Sequence, residues 1–224
     1  MSTKRQAGLV KKMLAEALGT AFLLTAVVGS GIMAFQLAEG NGALALLCNS
    51  VVTGAALIVL ISIFGPISGA HFNPAVSAVM ALRGDRQIGE MLGYAVAQVA
   101  GGLFGVLIAH AMFSQSILQI SGTERSGHGL FIAEVVATLG LLLTILLTMK
   151  RDAVHVARNV GLYIMAAYWF TASTSFANPA ASIARALTDT YAGICPEDVP
   201  AFIVAQMVGA LLAVPIERAL DEGA

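Results

Sequence analysis

Asn73-Pro74-Ala75 and Asn178-Pro179-Ala180 are the two tripeptides whose reading decides the fold of this chain. Asparagine is a preferred helix N-cap and proline suits the first helical position, so each tripeptide announces a helix beginning. The apolar helical patterns they open, within Gly69–Gly84 and Ser175–Asp189, run for about ten residues, too few to cross a bilayer. Around them the chain stays apolar for longer. Windows of about 20 mostly apolar residues give six spans, near Met13–Leu37, Ala43–Phe64, Ile88–Phe113, Leu130–Met149, Val160–Thr174 and Val199–Glu217. The sequence therefore predicts an all-α membrane protein of six transmembrane helices and two half-helices, a single membrane domain over residues 1–224.

Composition agrees. The 224 residues are 58% apolar and 11% charged, too few charges to cover a water-soluble domain of this size. The net charge of −1 gives no footing to a nucleic-acid partner, which leaves the lipid bilayer as the surrounding partner. Two cysteines, Cys48 and Cys195, make neither a disulfide nor a metal framework. His110, His128 and His155 show no ligand spacing and the methionines are scattered, so neither a metal nor a cofactor is expected. The first apolar run is too long for the core of a cleavable signal peptide.

Ten basic residues lie on one side of the predicted spans: Lys4, Arg5, Lys11, Lys12, Arg83, Arg86, Lys150, Arg151, Arg158 and Arg218. Only Arg125 and Arg185 lie on the other, so the positive-inside bias places both termini in the cytoplasm. Laid on itself, the chain matches Ala15-Glu16 with Ala133-Glu134, the two Asn-Pro-Ala tripeptides with each other, and Ala97-Gln98 with Ala205-Gln206. Gly101 and Gly105 match Gly209 and Ala213, a spacing of small residues that lets helix backbones approach. Each half, about 11–113 and 128–220, holds three spans, so the second enters the membrane from the opposite side and the repeats are inverted. Inversion brings the two Asn-Pro starts together near the midplane. Non-helical backbone there is tolerated only where it is buried or lines a cavity, and a water-filled path follows. Gly69, Ala70, His71 and Phe72 in one loop, with Thr174 through Ala177, including Phe176, in the other, would present carbonyls to that path. Both helix starts would point roughly half a positive charge at its centre.

Ser68-Gly69-Ala70-His71-Phe72-Asn73-Pro74-Ala75-Val76, with the second Asn-Pro-Ala placed symmetrically, resembles the aquaporins, or major intrinsic proteins, over nearly the whole chain. The resemblance implies an aquaporin-like right-handed bundle, passive channel activity and a homotetramer. It also implies that Asn73 and Asn178 meet at the pore centre with their carboxamide N–H groups toward the solute, besides capping their helices. Glu16 and Glu134 would brace the re-entrant loops; an ionisable group in an apolar span otherwise suggests a proton relay. His71 sits in the packed loop by this match, with a pH gate as the other use of a lone histidine.

The chain departs from the family where substrate is chosen. Tightly filtering members carry arginine three positions after the second asparagine, and Ala181 stands there. Thr53 takes the place of a bulky aromatic, Ser175 completes the ring, and the facing position on the fifth span is Tyr168 by matching from Gly161, with Ala166 the alternative by counting back from Asn178. Such a filter is wider and less polar than one with a guanidinium. Arg185, four residues beyond Ala181 and on the same helical face, either guards the outer vestibule or snorkels at the interface. The resemblance thus points to an atypical bacterial channel in the inner membrane, passing water and polyol-like neutral solutes, with neutral metalloid hydroxides such as arsenite as candidates. A strict water channel and an ion-coupled secondary transporter are the alternatives. An enzyme is not expected, since the spans offer no nucleophile with its base.

Overall fold

The computed structural model describes residues 8–85 and 87–221, and the regular structure of these residues is helical. Lys4, Arg5 and Arg86, used above for orientation, lie outside the described residues. The elements run α1 (Leu9–Leu37), α2 (Gly42–Ser68), α3 (Pro74–Leu82), α4 (Ile88–Met112), α5 (His128–Asp152), α6 (Val156–Phe170), α7 (Pro179–Arg185) and α8 (Val199–Asp221). By length and composition, five helical stretches among the described residues suit a membrane crossing. One of them, the 43-residue run 128–170, contains both α5 and α6. It turns back on itself where Asp152 Oδ1 accepts the Val154 N–H at 3.1 Å, opening a single 3-10 turn. The return is antiparallel: Tyr163 Oη donates to the Ala137 carbonyl at 3.0 Å and Asn159 Nδ2 to Thr148 Oγ1 at 3.1 Å.

Three helix limits differ from the sequence expectation. α1 starts at Leu9 rather than Met13, because Lys11 and Lys12 are good helix formers although they do not belong in lipid. The fifth span, expected at Val160–Thr174, is Val156–Phe170. Thr171 leaves the helix in an extended conformation, at the head of a Thr-Ala-Ser-Thr-Ser run whose hydroxyls compete for backbone groups. The second half-helix is seven residues, not about ten, and the first is nine.

α1 packs along α4, and α5 along α8, closely enough that a Cβ on Gly101 or Gly105 would overlap the carbonyls of Ala17 or Ala21, and one on Gly209 that of Val135. Lipid offers no hydrophobic reward for bringing helices together, so close backbone packing supplies the attraction. Apolar side chains such as Phe22, Val59, Phe104, Ile132 and Leu211 cover the outer surface. Each half-helix is tied at its far end to the closing helix of the other half. Beyond α3, Arg83 Nη1 lies 2.6 Å from Glu217 Oε2 on α8, and Lys150 on α5 pairs with the other carboxylate oxygen. Beyond α7, Thr188 Oγ1 lies 2.8 Å from His110 Nε2 on α4, whose Nδ1 is 2.9 Å from the Ile117 carbonyl.

Candidate functional site

The loops that precede α3 and α7 share one backbone course. Gly69, Ala70 and Phe72 have φ of 97°, 50° and 51°, and Thr174, Ser175 and Ala177 have φ of 59°, 50° and 47°. Five of these six are not glycine, and residues with a Cβ hold left-handed conformations only where their surroundings impose them. A buried carboxylate does so in each half. Glu16 accepts from Ser68 Oγ (2.6 Å), His71 N (3.0 Å), Phe72 N (2.7 Å) and Gln98 Nε2 (2.8 Å). Glu134 accepts from Phe176 N (2.9 Å), Ala177 N (2.8 Å) and Gln206 Nε2 (2.6 Å). Each glutamine also donates to a serine on the half-helix it faces, Gln98 to Ser77 and Gln206 to Ser182. Charge-assisted bonds of this kind contribute about 1.5–3 kcal/mol each, which offsets the cost of the strained turns and of burying the carboxylates. Aromatic edges close the same places: His71 meets Tyr94 and Phe176 meets Phe202, with centroids 5.3 and 5.1 Å apart.

With the loops so held, the half-helix starts meet inside the bundle. Asn73 Oδ1 caps its helix by accepting the Ala75 N–H at 2.9 Å, and Asn178 Oδ1 accepts from Ala180 at 3.0 Å and Ala181 at 3.3 Å. Their amide nitrogens cross over. Asn73 Nδ2 donates to the Ala177 carbonyl at 2.7 Å, and Asn178 Nδ2 to the Phe72 carbonyl at 2.8 Å. An amide nitrogen carries two hydrogens, so each asparagine keeps one N–H beyond this tie. Pro74, Ala75, Pro179 and Ala180 set the helix starts rather than the wall, Ala75 and Ala180 being fully buried.

A cavity of about 260 Å³ runs past both asparagines, bounded toward one end by Met80, Asp85 and Met149 and toward the other by Tyr168, Ala181 and Arg185. Gly69, Ala70, His71, Phe72, Ser175, Phe176 and Ala177 also line it. Thr174, expected with them, is not on the wall; its N–H closes a turn onto the Thr171 carbonyl before the chain reaches the cavity. Glu16 and Glu134 lie behind the loops, off the wall. Thr53 and Tyr168 face each other, their hydroxyl oxygens 3.3 Å apart, while Ala166 is exposed on the outside of α6. Ser175 Oγ is buried beside the cavity without a partner. Arg185 is only 3% exposed, so it is not a side chain reaching for the interface. In the loop before α5, burial lowers the pKa of Arg125 from its ordinary value, with the charge of Glu134 opposing the shift. Among the apolar wall residues, Leu57, Val76 and Ile164 carried no motif that would have singled them out in the sequence.

Residues 3–154 match the family model described as Major intrinsic protein. The chain belongs to the major intrinsic protein family. This major intrinsic protein is 50% identical over 210 residues to the aquaglyceroporin AqpS of Rhizobium meliloti, a match covering 94% of this chain and 90% of that one. It is 29% identical over 217 residues to a glycerol uptake facilitator protein-like 6 of Lactiplantibacillus plantarum, covering 91% and 95%. The X-ray structure of the aquaglyceroporin from Plasmodium falciparum shares its fold, with a TM-score of 0.73 at 21% identity over 92% of this chain and 94% of that one. The paired Gln98 and Gln206 were visible in the sequence as part of a repeat, but their bonds to the glutamates follow only once the major intrinsic protein fold brings α4 beside α1 and α8 beside α5.

Proposed function

We propose that this major intrinsic protein is a passive transmembrane channel for water and small uncharged solutes of polyol size, one domain built from inverted repeats over about 11–113 and 128–220. The observation that carries the reading is one cavity reaching past both crossed asparagines from Met80 and Asp85 to Tyr168 and Arg185. The matched bonds of Glu16 and Glu134, both off the wall, support loop bracing over a proton relay, and with it a channel over an ion-coupled transporter. Carbonyls of the Gly69–Phe72 and 175–177 loop segments supply acceptors along the path, and the remaining N–H of each asparagine supplies a donor at its centre.

Thr53, Tyr168, Ser175 and Ala181 form the constriction in this reading. Three hydroxyls and a methyl group make a ring that is hydrogen-bonding yet wider than one holding a guanidinium at position 181. Such a ring suits glycerol, urea and the neutral hydroxide of trivalent arsenic, as well as water. The basic residues Lys11, Lys12, Arg83, Lys150, Arg151, Arg158 and Arg218 support an orientation with the Arg83 end and both termini in the cytoplasm and the constriction facing outward, in a bacterial inner membrane. The names of the bacterial relatives support glycerol as a solute. The assembly is a homotetramer.

Proteoliposomes test this. Shrinkage and re-swelling should show water flux, then glycerol, urea and arsenous acid flux, each proportional to its own gradient. Flux that depends on an imposed proton or sodium gradient would replace the channel with a coupled transporter, and water flux without any solute entry would leave a strict water channel.

A further inference from the structure

We infer that Arg185 supplies the cation of the constriction in place of an arginine at position 181, and that Phe176 positions it. This deepens the channel reading and rests on it. The Arg185 side chain is buried, its Cζ lies 3.3 Å from the Phe176 ring centroid, and its Nε donates to the Ala192 carbonyl at 2.5 Å. These two contacts fix the guanidinium plane at the cavity wall. Among the described residues its terminal nitrogens have no hydrogen-bond partner, so their donors belong to whatever occupies the cavity. Ala181, one turn earlier on α7, puts only a methyl group on the same cavity wall. The unpartnered Ser175 hydroxyl borders the same cavity, so a passing polyol meets fixed donors on one side and hydroxyls that accept or donate on the other.

Comparison of the two halves separates this role from mere packing. Arg185 stands seven positions after Asn178, and the residue seven positions after Asn73 is Met80, which also lines the cavity. The first half closes its loop with the same carboxylate bonds and the same aromatic edge contact, His71 against Tyr94, without any arginine on its half-helix wall. The fold therefore does not require a cation at this place. A guanidinium stacked on an aromatic face keeps its charge with little hydration to lose, and its field in a narrow apolar passage opposes entering cations. Arg125, whose Cζ lies 5.0 Å from the same ring centroid, adds to that field from behind.

The test uses the full-length protein in proteoliposomes, with Arg185→Met, Arg185→Lys and Phe176→Leu beside the parent. The readouts are sodium and proton leak and the ratio of five-carbon polyol to water permeability. Arg185→Met should raise cation leak about ten-fold or more and raise the polyol ratio several-fold, as expected when a fixed charge leaves a low-dielectric passage. Arg185→Lys should restore cation exclusion but not the ratio, because an ammonium lacks the planar fork. Phe176→Leu should fall between, since it removes the platform and not the charge. If assembled Arg185→Met keeps both readouts at parental values while conducting water, Arg185 ties the loop at Ala192 and nothing more. If Arg185→Met changes them but Phe176→Leu does not, the positioning role of Phe176 falls, and if Arg185→Lys keeps the polyol ratio as well, the planar fork is not what sets it. If the parent itself passes neither water nor glycerol, the channel reading falls first and this assignment with it.

Discussion

Each asparagine at the centre of the molecule does two jobs with opposite ends of one carboxamide: its oxygen caps a helix and its nitrogen holds the opposite loop. Aspartate at position 178 would keep the cap and lose the tie, placing a carboxylate against the Phe72 carbonyl. Asn178→Asp should therefore raise cation leak in a flux assay while weakening exclusion symmetrically with Asn73→Asp; unchanged ion exclusion in well-assembled protein would count against charge control at the centre. At the constriction, Ala181→Arg should slow polyols far more than water, because a five-donor planar cation narrows a wall that already carries Arg185. Thr53→Phe should act in the same direction and also removes the hydroxyl facing Tyr168. Equal slowing of water and polyol by Ala181→Arg would place position 181 outside the narrowest part. The caps at Asn73 and Asn178 were legible from residue type alone. Their crossing was not, since it depends on how two distant loops meet; matching from Gly161 favoured Tyr168 over Ala166, and counting back from Asn178 pointed the other way because α6 stops at Phe170.

Half-helices exist here because something other than their own length holds them. Seven and nine residues are below what sustains a helix alone, and their loops carry left-handed backbone, so the glutamate braces determine whether these elements form. Glu134→Gln tests this with minimal change of shape. One amide group would then oppose the N–H of Phe176 or Ala177, and a buried donor without an acceptor costs about 1–3 kcal/mol. The variant should melt earlier than the parent in detergent, with solute flux reduced at least as much as stability; an unchanged melt would mean that the loop is held elsewhere. Glu16 and Glu134 were recognisable as a symmetric pair of ionisable residues in apolar runs. Ser68, Ser77 and Ser182, which complete the same networks, gave no such signal, because serine is unremarkable in a membrane span. The limits of α1 and α6 differ from the apolar windows for a related reason: apolarity marks what lipid accepts, whereas helix ends are set by caps and by competing hydroxyls.

The whole molecule is cross-braced, each half-helix anchored at its far end to the last helix of the other half. At the Glu217 end the anchor is ionic. Glu217→Gln would leave Arg83 and Lys150 facing a neutral group, and because both cations are partly exposed the loss should be about 1–3 kcal/mol, less than for a fully buried pair. Thermal melts should fall by several degrees, and an unaltered melt would show that the cluster is held by solvent instead. The long apolar helices and the two short helices opened by Asn-Pro could be inferred from spacing; the anchors could not, since Arg83 and Glu217 are far apart in sequence and each looked like an ordinary end charge. The crossed amides have a mechanical consequence as well. A machine that exposes its cargo to one side at a time must rock one half against the other, and here that motion would have to break both central bonds at once, together with the anchors at each end. The molecule behaves as a pipe rather than a turnstile. Flux through it should remain unsaturated as solute concentration rises, and should change with temperature as weakly as diffusion in water; a steep temperature dependence would reveal moving parts.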